Sequence, residues 1–265
     1  MKALRRVICI VLAAVSFLAS TAYSTSFSTD QSDLYYIPTE SGWGIQLVQR
    51  GSVIFATLFV FGAGGATTWF VATLNSTSNS TWTGDLYTGT GPYFGTVPFN
   101  PADVVGAKVG TMTWTPTAVT TGTLTYDVNG VAVVKNVIRQ TLVLDDFNGH
   151  YSGILHTTTS GCVDATRNGT MDFVAVEDVT QSGPTINILI SSVGGSCSFA
   201  GTYSQAGQFG AVSGAYTCGG DSGTFQGFEL QVNITGFTGR FTAASSTRTG
   251  CQATGWFGGL RVTTF

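Results

Sequence analysis

Charge is the scarcest property of this chain. Only 9% of its 265 residues are Asp, Glu, Lys or Arg, and no Lys/Arg run exists beyond the Arg5-Arg6 pair. Without a basic stripe, nucleic acid and anionic membrane surfaces are poor partners. Histidine (two) and proline (six) are also rare. The chain has no HExxH, no CxxC and no Asp-rich calcium loop, so no metal or cofactor is expected from a local motif. His150 and His156 share one face of an extended strand, but about 20 Å separates them at strand rise, so that strand alone cannot bring both to a metal. Helical periodicity is missing beyond the N-terminus. Between Cys9 and Cys162 there is no cysteine at all.

What is present is apolar and β-prone. Hydrophobic residues make up 43% of the chain, enough for a core despite the low charge. The first 24 residues read as a secretory signal peptide: Lys2, Arg5 and Arg6, then the apolar stretch Val7–Leu18, then Ala22 and Ser24 at a cleavage site. Cleavage would take three basic residues from a net charge of −3 and leave −6. It would also remove Cys9 and leave Cys162, Cys197, Cys218 and Cys251. An even count in an exported chain implies two disulfides. No membrane span is expected after cleavage, and the localisation expected is periplasmic or extracellular.

Residues 25–39 are polar and irregular, and read as a flexible N-terminal segment. From Gly42 onward the chain is strand after strand, rich in Val, Ile, Thr, Phe and Tyr, with 35 glycines in the whole chain. Asn129-Gly130 is a type I′ hairpin signal. Asp145-Asp146 marks a boundary, giving domains 40–144 and 145–265. The first offers about seven strands, which either close into a barrel or form an open sheet packed on the second domain. The second offers eight short-turned strands. The fold class is therefore all-β: two antiparallel domains, the C-terminal one an eight-stranded up-and-down barrel with two disulfides. No internal repeat marks the halves as duplicates. A Gly-x-aromatic pattern recurs in the second half, as at Gly223/Phe225 and Gly255/Phe257, and suits ring-over-glycine packing in a coiled strand.

The disulfide pairing follows from register. A two-residue turn at Gly207-Gln208 puts Cys197 opposite Cys218, Phe199 opposite Tyr216 and Tyr203 opposite Val212, and sorts apolar from small polar residues. Cys162 then pairs with Cys251 by elimination, a long-range link worth about 3–4 kcal/mol in the chain-entropy model.

Catalytic patterns are weak. Gly-Asp-Ser-Gly at 220–223 resembles a serine-protease nucleophile loop, but Thr224 replaces the next glycine and neither histidine has the required context. Ser222 is expected to be a solvated turn residue, and no catalytic residue is assigned. Glu177 and Glu229 lie in strand-like runs as a candidate carboxylate pair, though Glu229 is expected to face solvent or to pair with Arg240 or Arg261. Trp43, Trp69, Trp82, Tyr87, Trp114 and Tyr126 are the candidate ligand-binding residues, with core filling as the competing role. The strand VIFATLFVF is apolar on both faces, which suits a domain interface or an oligomer contact. The terminal Phe265 raises an outer-membrane barrel, although Arg261 and Thr263 interrupt the alternation.

SGWGIQLVQRGSVIFATLFVFGAGGATTWFVATL, WTGDLYTGTGPYFG and VGTMTWTPTAVTTGTLTYDVNGVAVVKNVIRQ resemble a family of uncharacterised exported proteobacterial β-proteins. AVSGAYTC, FELQVNITGFTGRFTA and GWFGGLRV in the second half resemble the same group. The resemblance implies export and a β architecture and carries over no catalytic residue; the meander is also loosely avidin- or lipocalin-like. The function expected is a non-enzymatic binding protein for a small apolar or saccharide ligand. The alternatives are a structural or adhesive surface protein acting through protein contacts, and an outer-membrane barrel.

Overall fold

The structure, a computed structural model, describes residues 29–78 and 80–262. The expected signal peptide and Phe265 lie outside the described residues. Two closed, antiparallel eight-stranded barrels follow one another along the chain. The first comprises β1 (Asp33–Tyr36), β2 (Gly44–Arg50), β3 (Val53–Phe61), β4 (Thr67–Ser78), β5 (Thr81–Thr90), β6 (Val105–Pro116), β7 (Thr121–Val128) and β8 (Val131–Arg139). The second comprises β9 (Gly149–Ser160), β10 (Gly169–Ser182), β11 (Thr185–Ser192), β12 (Gly195–Ala206), β13 (Phe209–Cys218), β14 (Asp221–Val232), β15 (Gly236–Ser245) and β16 (Gln252–Arg261). Each strand pairs with its neighbour in sequence, and β1–β8 and β16–β9 pairings close the two rings.

Turn chemistry sets the register. Asn129 and Gly130 have φ of 49° and 85°, the left-handed pair a type I′ turn needs between β7 and β8. Gly207, with φ of 61°, opens the β12–β13 hairpin, and Cys197 then faces Cys218 as the sequence requires. Disulfides join Cys197 to Cys218 and Cys162 to Cys251. Two such bonds point to an oxidising, non-cytoplasmic compartment. Among the described residues, no helix is long and apolar enough to cross a membrane.

Strand alternation fills both interiors. In the first barrel Ile45, Leu47, Ile54, Leu58, Leu74 and Leu86 point inward and are fully buried. The register partners Trp82 and Trp114 complete the packing, with Gly122 lying under the Trp114 ring where a Cβ would collide. In the second barrel rings cover the glycines of neighbouring strands: Tyr216 lies over Gly223, and Phe241 over Gly255.

The segment 25–39 is not a flexible tail over its described part. It supplies β1 and the plug of the first barrel. Gln31 is fully buried: its Oε1 accepts the Trp114 Nε1–H (3.2 Å), its Nε2 donates to the Thr29 carbonyl (2.9 Å), and its backbone N–H donates to Gln49 Oε1 (2.8 Å). A buried indole N–H needs an acceptor, and this polar segment is what provides it. The first barrel consequently has eight strands rather than about seven.

The two barrels repeat one closure. Where β1 meets β8, Tyr35 faces Arg139; where β9 meets β16, Tyr151 faces Arg261. Each tyrosine hydroxyl donates to the carbonyl four residues earlier, Gln31 or Phe147. Each guanidinium lies 5.1 Å from its tyrosine ring and donates to the carbonyl three residues before that tyrosine, Ser32 or Asn148. The residue after each arginine donates its N–H to the carbonyl just before the tyrosine, Leu34 or His150. The halves are thus structural repeats, although the sequence shows no repeat.

Both closures lie at the ends of the barrels that face each other, joined by the linker 140–148. Arg139 is the centre of that junction, with a fully buried side chain. It donates to the carbonyls of Val119, Ser32 and Asp30, pairs with Asp33 Oδ2 at 3.1 Å, and lies 4.6 Å from the Phe209 ring of the second barrel. The Gln208 N–H donates to the same Asp33 oxygen, and the Gly207 N–H to Thr141 Oγ1. Replacing Arg139 by Met should cost about 3–5 kcal/mol, because Asp33 and several carbonyls lose their buried partner. Replacing the equivalent but more exposed Arg261 by Met should cost only about 1 kcal/mol. Urea denaturation of the two variants measures the difference.

Candidate functional site

The six aromatic candidates do not form one pocket. Trp82 and Trp114 are fully buried and pack the axis of the first barrel solid. Trp43 and Tyr126 are half-buried at the pole away from the junction. There Trp43 Nε1 donates to Glu40 Oε2 (3.1 Å), and the Lys135 ammonium that pairs with Glu40 lies 5.6 Å from the Trp43 ring. Burial raises the Tyr126 hydroxyl above the usual phenol range, with Lys135 pulling the other way. Trp69 and Tyr87 point outward, 52% and 39% exposed. They share the outer face of β2–β5 with Val48, Phe55, Phe59 and Phe61, where Val48 faces Phe55, Phe59 faces Trp69 and Val71 faces Tyr87.

The remaining polar candidates are held in structural roles. His150 pairs with Asp178, and His156 with Asp172 at 2.5 Å, its ring stacked on Trp256 at 4.0 Å. Both therefore have carboxylate partners, and Ser222 is not the solvated turn residue expected: it is the second residue of β14, half-buried, opposite Thr217, with its N–H donating to Thr247 Oγ1. Among the described residues no group of three or more His, Cys, Asp or Glu could hold a metal. Glu229 sits at a bulge with φ of 53°, 3.4 Å from Arg240, and accepts from the Thr29 hydroxyl. It makes no carboxylate pair with Glu177.

Glu177 is the exception. It lies on the inward face of β10 between Ala175 and Val179 and has no exposed surface. Neither carboxyl oxygen has a hydrogen-bond partner among the described residues. Its register neighbours are Tyr151 on β9 and Ile190 on β11. Tyr151 cannot serve it, because its only O–H is given to the Phe147 carbonyl. Burial alone pushes the Glu177 carboxyl up to about 7. The structural repeat shows that the fold does not need an acid here. In the first barrel the residue facing the closure tyrosine is Ile45, equally buried.

Ile190 also lines an apolar cavity of about 30 Å³ in the second barrel. Its other walls include Leu155, Val212, Gly227 and the rings of Phe199, Phe225, Phe241 and Phe257. The fifth and sixth strands explain why space remains here and not in the first barrel. β5 and β6 place Trp82 against Trp114 across the axis side, whereas β13 and β14 place Val212 against Gly227. Of the cavity walls only Phe199 on β12 and Phe241 on β15 are half-buried, and Phe199 lies toward the end of β12 that carries Cys197. Both disulfides lie at that pole, the end opposite the Gly207 turn.

Comparison of the chain with protein-family models, curated proteins and solved structures gave no match. The site thus rests on its own geometry.

A carboxyl raised by burial makes stability depend on pH. In the unfolded chain it titrates near 4.5, so between about pH 4.5 and 7 the folded state keeps a proton that the unfolded state has lost. Stability falls as pH rises through that window, by about 3 kcal/mol in total. Glu177→Met should therefore be about 3 kcal/mol more stable than the parent at pH 8, with the gain shrinking toward zero by about pH 4.5. Urea denaturation at the two pH values checks this; a gain independent of pH would contradict the assignment of the buried charge.

Proposed function

We propose that the protein is an exported bacterial binding protein without enzymatic activity, which takes a small, largely apolar ligand into the interior of its C-terminal barrel. The observation that carries this reading is the apolar cavity of the C-terminal barrel, at a level where the matching barrel is filled by Trp82 and Trp114. Export fits the disulfides and the signal peptide expected from residues 1–24. Both barrels have apolar interiors, whereas a membrane-spanning barrel has a polar one, which weighs against an outer-membrane role.

A second reading has its own support. The outer face of β2–β5 exposes Phe55, Phe59, Phe61, Trp69 and Tyr87 at 39–56%. That is about 500 Å² of apolar surface on five aromatic side chains. With a polar rim it approaches the ~800 Å² per partner of a stable interface, which suits a second copy of this chain packed sheet to sheet.

Native mass spectrometry of the protein taken from its own oxidising compartment decides between them. The binding reading expects a single chain carrying a small added mass that Val212→Leu, which fills the cavity, removes. The self-association reading expects a dimer that Phe59→Ser with Trp69→Ser dissociates. A bare monomer contradicts both a tightly held ligand and a stable dimer.

A further inference from the structure

The connection between β5 and β6 is one that the fold does not require. It runs through residues 91–104, whereas the matching strands of the second barrel, β13 and β14, are joined by Gly219 and Gly220 alone. An ordered loop of this length is usually functional. Its apolar side chains are turned to solvent. Phe94 is 88% and Val97 92% exposed, and Tyr93, Phe99 and Val104 are more than half exposed. The only charge in the loop is Asp103.

The loop is held in shape all the same. It contains Pro92, Pro98 and Pro101, half of the chain's six prolines. The Thr96 N–H donates to the Tyr93 carbonyl (2.9 Å), and the Ala102 N–H donates to Asn100 Oδ1 (3.2 Å) at the turn Pro101–Asp103. The Tyr93 ring lies over Gly95, where a Cβ would collide, and 4.4 Å from the ring of Phe94. A backbone fixed in advance lowers the ordering cost of binding. Strand direction puts the loop at the pole away from the junction. β3 ends and β4 begins at the same pole, so Phe61 lies at the level of the loop's base, with Trp69 and then Tyr87 further down the outer face. Charges near that level are paired with each other: Lys108, opposite Tyr87, with Asp85 at 2.8 Å, and across the pole Lys135 with Glu40 at 2.6 Å. From the tip inward the order is apolar side chain, amphipathic ring, ion pair. A bilayer interface has the same order from acyl chain to headgroup to water.

We propose that this loop anchors the first barrel to an uncharged, zwitterionic lipid surface, with Phe94 and Val97 entering the acyl boundary and Phe61 and Trp69 at headgroup level. The barrel sits on the bilayer and does not span it. Side chains about nine-tenths exposed stand clear of the surface around them. A fluid closes round such a convex tip, whereas a flat protein face leaves its flanks wet. The surface is zwitterionic because the loop has no Lys or Arg to hold an anionic headgroup, and Asp103 and the net negative chain oppose one. This site is separate from the cavity of the second barrel, so the two readings stand or fall independently.

The test is flotation of the exported, oxidised chain with phosphatidylcholine vesicles, and with vesicles that also contain phosphatidylglycerol. The parent should float with phosphatidylcholine alone. Phosphatidylglycerol should not strengthen the binding, and added salt should not weaken it. Phe94→Ser with Val97→Ser should weaken partitioning at least about thirtyfold and leave thermal unfolding unchanged, because neither side chain packs on the core. Phe55→Ser, toward the other end of β3, should leave partitioning within about twofold, which separates insertion of the loop from general apolar adhesion. A parent that stays unbound, or a double variant that floats as the parent does, overturns the proposal. Binding that requires phosphatidylglycerol overturns the zwitterionic assignment. A double variant that loses a dimer but keeps its vesicle binding makes the loop a protein contact and overturns the proposal as well.

Discussion

An eight-stranded barrel encloses room for its own inward side chains or, where these are small, for one small guest. That limit governs both halves of this chain. The first half meets it completely: two indoles meet across β5 and β6, and one of them, Trp114, gives its N–H to Gln31 of the plugging segment. The plug in turn turns the chain into β1, which closes the ring on β8 and brings Tyr35 against Arg139. Arg139 then has its charge buried on Asp33 and its ring-stacking face on Phe209 of the next barrel. Filling the first interior and joining the two barrels are therefore consequences of one another.

The second half repeats the closure but not the filling. Tyr151 and Arg261 reproduce the contacts of Tyr35 and Arg139, while Val212, Gly227 and Glu177 replace bulk with space and an acid. Both changes cost stability, the cavity through lost packing and the carboxyl through desolvation. Both disulfides are in this half, at the pole opposite the Gly207 turn. Cross-links of that kind offset such losses and hold the rim strands in place. The result is two matching barrels packed differently: a solid first barrel with an aromatic outer face, and a disulfide-braced second barrel that keeps a small apolar cavity.

Much of the second barrel was legible in the sequence, because a glycine turn, two cysteines and strand alternation all demand one register. The first barrel's closure was not. β1 has only four residues and a polar approach, and what holds it is a Gln31–Trp114 bond across 83 positions. The repeat was hidden because most of its contacts end on backbone carbonyls, which any residue supplies; only Tyr and Arg are kept. Glu177 was hidden by a degenerate pattern. Phe173, Ala175, Glu177 and Val179 form one face of β10, and Val174, Val176, Asp178 and Thr180 the other, so each face offers one acid and only tertiary register selects Glu177 for the interior. The aromatic set failed as a group for a similar reason: Trp69 and Phe70 lie on opposite faces of a strand apolar on both, and pattern alone does not say which ring is inside.

The account turns on one side chain whose charge the fold has isolated. Its most direct test is the titration of the Glu177 side-chain carboxyl carbon, followed by ¹³C NMR on the oxidised full chain. The structure predicts a midpoint near 7, set by burial without a partner. A midpoint in the ordinary carboxylate range, about 4, would show that Glu177 has water or a permanent partner, and would contradict the account.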